Sequence, residues 1–143
     1  MTLLGLDFDN TLVNYDKLFH RLAMEKGLID KAIAANKLAV RKHLLSQNKD
    51  HLFTELQAEA YGPKILDAEP AEYMLETLQQ LHNDGVLMVL VSHKTKYPYS
   101  GENYNLHEAA CLWLDKYNFF SRNGLGWTSE NIYFEESKES KVS

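Results

Sequence analysis

The chain has 143 residues, of which 45% are hydrophobic and 24% charged, with a formal charge of -5. That length suits one domain with a cooperative core, and the proportions argue against disordered, collagen-like and membrane-spanning classes. The acidic balance leaves no basic stripe for a nucleic-acid partner, whereas a small phosphorylated molecule needs only about two or three local cations.

The first residues, Met1 to Leu6, lack the length and basic flank of a signal peptide. No apolar run approaches a membrane span, so a cytoplasmic protein is the expectation. Thr2 to Leu6 followed by Asp7-Phe8-Asp9 predicts a buried strand whose carboxyl end turns polar abruptly. Open parallel sheets place their ligands beyond such ends. Helical periodicity at Leu18/Leu22, at Ile29/Ile33/Val40/Leu44 and at Leu52/Leu56/Ala60, broken at Gly27 and Asn48-Lys49-Asp50, predicts two or three inserted helices.

Pro70 suits a first helical position, and Tyr73, Met74, Leu75, Leu78 and Leu81 supply an apolar side before Gly85, which predicts a crossover helix. Val86 to Val91 is apolar on both faces and predicts a buried parallel strand. Asn105 and Glu108 have capping-box spacing and open a helix running through Ala109, Leu112 and Trp113 to about Tyr117. Asn123-Gly124 and Gly126 then lead to a third short strand, Ile132 to Phe134. Strands alternating with helices predict an α/β fold with a parallel sheet. The single cysteine, Cys111, lies among Ala109, Ala110, Leu112 and Trp113 and reads as a packed thiol in a reducing compartment.

Asp7 and Asp9 project beyond the first strand, where both can converge on one ligand. Two like charges so close call for neutralisation, and a magnesium ion suits one or two carboxylates with water and phosphate. One carboxylate can then attack phosphorus while the other moves protons. The plainer alternative is a polar turn ending a strand. Ser92 follows the second strand, where a cap or turn is its commoner role. His93, Lys94, Thr95 and Lys96 offer substrate or phosphate contacts, against the commoner role of a solvated basic loop.

Asp7-Phe8-Asp9-Asn10-Thr11-Leu12 resembles the first motif of the haloacid dehalogenase superfamily, in which Asp-x-Asp-x-Thr follows the first strand. The resemblance implies a three-layer Rossmann-like parallel sheet, with its core at 1–14 and 63–143 and a small helical cap inserted at about 15–62. It implies Mg2+-dependent hydrolysis of a small-molecule phosphate ester through an aspartyl-phosphate on Asp7, with Asp9 as general acid/base and both residues as metal ligands, Asp9 through its main chain. Ser92 takes the place of the second motif, and Asn10, Thr11, His93 and Lys94 fall to phosphate or substrate binding. Lys141, or else Lys138, takes the place of the family's charge-compensating lysine.

In the cap, Tyr15 would line the entrance, while Lys31, Lys37, Arg41 and Lys42 belong more naturally to a solvated helix face. The family completes its metal shell with acidic residues after a fourth strand, and this sequence ends at Ser143 before one appears. Glu135 and Glu136 are poor substitutes, because the family's third strand does not adjoin its first. An incomplete chain would leave Leu3 to Phe8 as a sheet edge, so a homodimer through that edge, or a partly disordered tail, is expected. The alternative to an enzyme is an inactive or weakly active fragment serving as a binding or interaction module.

Overall fold

The computed structural model describes residues 3–98 and 104–135. Within them the chain is α/β, with five α-helices and an open three-stranded parallel sheet. In chain order the elements are β1 (Leu3–Leu6), β2 (Val13–Asn14), α1 (Asp16–Glu25), α2 (Lys37–Ser46), α3 (Asp50–Tyr61), β3 (Glu69–Pro70), α4 (Met74–Asn83), β4 (Leu87–His93), α5 (Leu106–Lys116) and β5 (Ile132–Glu135).

The sheet order is β1-β4-β5, with Leu6 opposite Leu90 and Ser92 opposite Phe134. Both crossovers step in the same direction, so right-handed connections bring α4 and α5 to one face. Leu75 and Leu78 of α4 accordingly meet Tyr117, Phe119 and Leu125 across one groove. On that face Met88, Leu90 and Ser92 are buried, and Ala110, Trp113 and Leu114 of α5 share the core with Met88 and Leu90 of β4.

The opposite face differs from expectation. Residues 86–91, read as apolar on both faces, alternate between exposed and buried along β4, and Leu87 and Val91 are 52% and 38% exposed. Leu3 on β1 and Tyr133 on β5 extend the same exposed row, since Leu3 pairs with Leu87 and Tyr133 with Val91. The physical reason is that both crossover helices cover a single side.

The segment between β2 and β3 holds α1, α2 and α3, which pack on one another. Their buried residues, including Leu22, Val40, Leu44 and Leu56, are continuous with the core under the sheet. Val13 pairs with Pro70 and Asn14 with Glu69, so a short antiparallel ribbon closes the base of the insertion. Ile29 and Ile33, grouped by periodicity with α2, lie instead in the connection before it. There Gly27 adopts a left-handed φ of 69° after α1, the Asp30 side chain accepts from Ala32 N, and Asn36 caps α2 by accepting from Ala39 N.

Pro70 likewise does not start a helix. It belongs to the ribbon, and α4 begins only at Met74, after Tyr73 in a left-handed conformation (φ 63°). Tyr73 is 72% exposed and thus not on the apolar side of α4. The helix expected at Asn105 forms, with the Asn105 side chain accepting from Glu108 N at 3.0 Å. Cys111 on that helix is half-buried, and burial, helped by the Glu108 charge, pushes its thiol up. In the following connection a Cβ at Gly124 would fall 1.8 Å from the Asn118 carbonyl oxygen, so only glycine fits.

Candidate functional site

The chain turns sharply beyond β1 because one carbonyl collects the turn's amides. Thr11 N, Leu12 N and Val13 N all donate to Phe8 O, at 3.4, 3.0 and 3.2 Å, and Asn10 N donates to Val13 O at 3.0 Å. Asn10 has φ 66°, a region that asparagine enters more readily than most residues. Phe8 is wholly buried and meets Trp113 edge-on, with ring centroids 5.5 Å apart. This anchored ring separates an exposed Asp7, whose Oδ1 accepts from Phe8 N at 2.8 Å, from a half-buried Asp9.

Asp9 is the hub of the contacts. Lys94 Nζ donates to its two carboxylate oxygens at 3.1 and 2.9 Å, and the Tyr15 hydroxyl donates to Oδ1 at 2.5 Å. Lys94 is 4% exposed, and its ammonium lies 4.4 Å from the centroid of Tyr61 and 5.3 Å from that of Phe8. A buried ammonium is tolerated only with a counter-charge and hydrogen bonds, which Asp9 supplies and the two rings reinforce. The backbone is held on both sides as well: Lys94 N donates to Glu135 O at 2.9 Å, and His107 Nε2 donates to Lys94 O at 2.6 Å. His107 in turn stacks on Phe134, with centroids 4.5 Å apart.

A second lysine reaches the cluster. Lys37 Nζ donates to the Tyr61 hydroxyl at 2.6 Å and lies over the Phe19 and Tyr61 rings. Burial lowers its pKa, with Lys94 and Arg41 pushing the same way and Asp9 and Asp16 opposing. Burial, then the Asp9 charge and hydrogen bond, raises Tyr15 well above its ordinary value, and burial followed by Asp9 raises Tyr61. Both phenols therefore keep their protons and serve as donors or neutral acceptors.

A cavity of about 310 Å³ opens beside this cluster. Its walls are Thr54, Gln57, Ala58 and Tyr61 of α3 on one side and His93, Lys94, Thr95 and Pro98 on the other, with Asp9 also lining it. Inserted helices and sheet thus contribute opposite walls.

The sequence-predicted residues are distributed unevenly around it. Ser92 is buried in β4, the strand paired with β1, while Asn10 and Thr11 are exposed on the turn. His93 is exposed, with Nδ1 3.5 Å from Glu135 Oε2. Lys138 and Lys141 lie outside the described residues. Lys94 departs most from a solvated-loop reading, and Lys37 departs from a solvated helix face; Lys31, Arg41 and Lys42 are exposed as that reading expects. Tyr15 is not an entrance residue, since it is 1% exposed and bonded to Asp9. Tyr61 was missed, because its role depends on how α3 folds back.

The donor chemistry suits a hard cation in part. Asp7 offers an exposed carboxylate and Asp9 a main-chain carbonyl, and magnesium commonly takes only one or two carboxylates, with water and phosphate filling the rest. The Asp9 carboxylate itself is engaged by Lys94 and Tyr15. Among the described residues, no group of three or more His, Cys, Asp or Glu side chains could hold a metal. Nor, among them, is any helix long and apolar enough to cross a membrane.

Comparison with known proteins finds no match to a family model, to a curated protein or to a solved structure.

Proposed function

We propose that this protein hydrolyses the phosphate ester of a small metabolite, using Asp7 as nucleophile, Asp9 as proton carrier and Mg2+ as cofactor. The observation that carries the reading is the pairing of β1 with β4. It brings the polar end that bears Asp7 and Asp9 alongside the strand end that bears Ser92 and Lys94. The reading includes a three-layer Rossmann-like core with the inserted helices as a cap, and a cytoplasmic setting.

In this scheme an Asp7 oxygen bonds to phosphorus as the ester P–O bond breaks. Lys94 and Tyr15 donate to Asp9, so it rests as an acceptor. A monoester monoanion then brings the proton that Asp9 passes to the leaving oxygen. In the second half, water attacks phosphorus, the Asp7–phosphorus bond breaks, and Asp9 takes the water's proton and hands it to the released phosphate. Ser92, with Asn10 and Thr11, would bind phosphoryl oxygens, and Asp7 with the Asp9 carbonyl would hold the metal, which supplies charge neutralisation when bound. His93 and Lys94 line the cavity that the leaving group would enter.

Asp7→Asn should abolish turnover of a generic aryl phosphate, by about 10⁴-fold or more as for loss of a nucleophile, while leaving circular dichroism and the unfolding midpoint intact. Retained turnover sinks the nucleophile assignment.

One observation favours a second reading, an interaction module. Leu3, Leu87, Val91 and Tyr133 form an exposed apolar row of the kind that marks an association surface. Absence of Mg2+ binding at millimolar concentration in calorimetry would select that reading over the enzyme.

A further inference from the structure

We propose that Lys94 is the positioning residue of Asp9: its ammonium fixes the carboxylate at the mouth of the cavity, so that the leaving group of the substrate enters between α3 and the loop after β4. This rests on the phosphatase reading above and adds to it a residue, a direction of approach and a size limit.

A lysine at 4% exposure is not a surface accident, because its charge must be desolvated and then compensated. Its bonds to both Asp9 oxygens fix the rotation of the carboxylate, which one bond alone would leave free. Tyr15 donates to Oδ1 as well and adds a further restraint. The ring of Tyr61 sits 4.4 Å from the ammonium and belongs to α3, so the inserted helices help set where Lys94, and through it Asp9, can stand. The Glu135 and His107 hydrogen bonds pin the lysine's backbone, so its reach is fixed by β5 and α5 rather than by a loose loop. Asp9 and Lys94 both line the 310 Å³ cavity. A proton passed on by Asp9 is therefore delivered on the cavity side.

The cavity's size and lining set the class of leaving group. Its volume lies at the small end of ligand sites, which suits a single ring or short polyol rather than a nucleotide. Thr54, Gln57 and Thr95 are hydrogen-bonding groups suited to hydroxyls, His93 adds ring nitrogens, and Ala58, Tyr61, Pro98 and Leu106 supply apolar wall suited to the face of a ring. The substrate class is a hydroxylated monophosphate of monosaccharide size.

The test compares full-length wild-type protein with Lys94→Met, Lys94→Arg, Lys94→Ala and, as a solvated control, Lys31→Met at an exposed lysine. With a sugar monophosphate as substrate, Lys94→Met should lower kcat roughly 10- to 100-fold, the value of a charge-assisted hydrogen bond, with KM nearly unchanged. Lys94→Arg should lose less, Lys31→Met should match wild type, and ethylammonium ions should partly restore kcat to Lys94→Ala. A structural role would not produce that rescue. A thermodynamic cycle of Lys94→Met with Asp9→Asn reads the pairing without turnover. Its folding equilibrium constants should be non-additive by about fivefold or more.

Asp7-dependent turnover with Lys94→Met equal to wild type overturns the positioning role and leaves the phosphatase reading standing. Asp7-independent turnover, or none in wild type, sinks the phosphatase reading and this proposal with it. Additivity in the cycle overturns the pairing itself. Equal or better turnover of nucleoside monophosphates overturns the substrate class.

Discussion

Two side chains, Asp9 and Trp113, organise most of what is buried near the site, and they do so by different physics. Asp9 gathers Lys94 and Tyr15 through charge and hydrogen bonding. Trp113 is wholly buried, meets Phe8, Tyr117 and Phe119 through its ring, and donates from Nε1 to Ala68 O at 3.1 Å. It thus joins α5 to the return from the inserted helices. Trp113→Ala should destabilise the fold by about 3–5 kcal/mol, the range for a large aromatic deleted from a core. Against a total of about 5–15 kcal/mol for a typical domain, that loss should lower the urea midpoint severely. A change under about 1 kcal/mol would show that the site collapses freely around the missing ring.

Elements were legible where one local cause governs them. α5 starts at its Asn105 cap, and β5 contains the expected Ile132 to Phe134. The start of α4 was not legible, because Pro70 is equally at home at a first helical turn and in an edge ribbon. Pairing with Val13, distant in sequence, decides between them. The delayed start places Tyr73 at φ 63° with its side chain exposed, where left-handed backbone costs a non-glycine residue about 1–2 kcal/mol. Tyr73→Gly relieves that cost but adds entropy to the unfolded chain. The net expectation is a stabilisation of up to about 1 kcal/mol in chemical denaturation. A clear loss would mean that the exposed ring makes a contribution its exposure does not suggest.

At the scale of the whole molecule, the consequential feature is the one-sided sheet. With α4 and α5 gathered on one face, Leu3, Leu87, Val91 and Tyr133 remain exposed on the other, and β1 is an edge of the three-stranded sheet. Such a row favours association with a second copy, either face to face or through the β1 edge. Sedimentation should therefore report concentration-dependent association, shifted toward monomer by Val91→Lys together with Tyr133→Lys. A monomer at all concentrations for the unsubstituted chain contradicts this.

The sequence by itself determined the α/β class, the polar end of the first strand and the candidates Asp7, Asp9 and Ser92, because strand hydrophobicity, turn chemistry and motif spacing are local properties. It also flagged Lys94, yet charge and context alone make a lysine after a strand a surface residue. Only the tertiary structure decided that Lys94 turns inward onto Asp9, that Tyr15 and Tyr61 join it, and that Leu87 and Val91 of β4 stay exposed. Each of these depends on which elements become neighbours across long separations in sequence: α3 folding back over the strand ends, and two crossovers stepping the same way. Burial is a property of that assembled surface, and no single segment carries it.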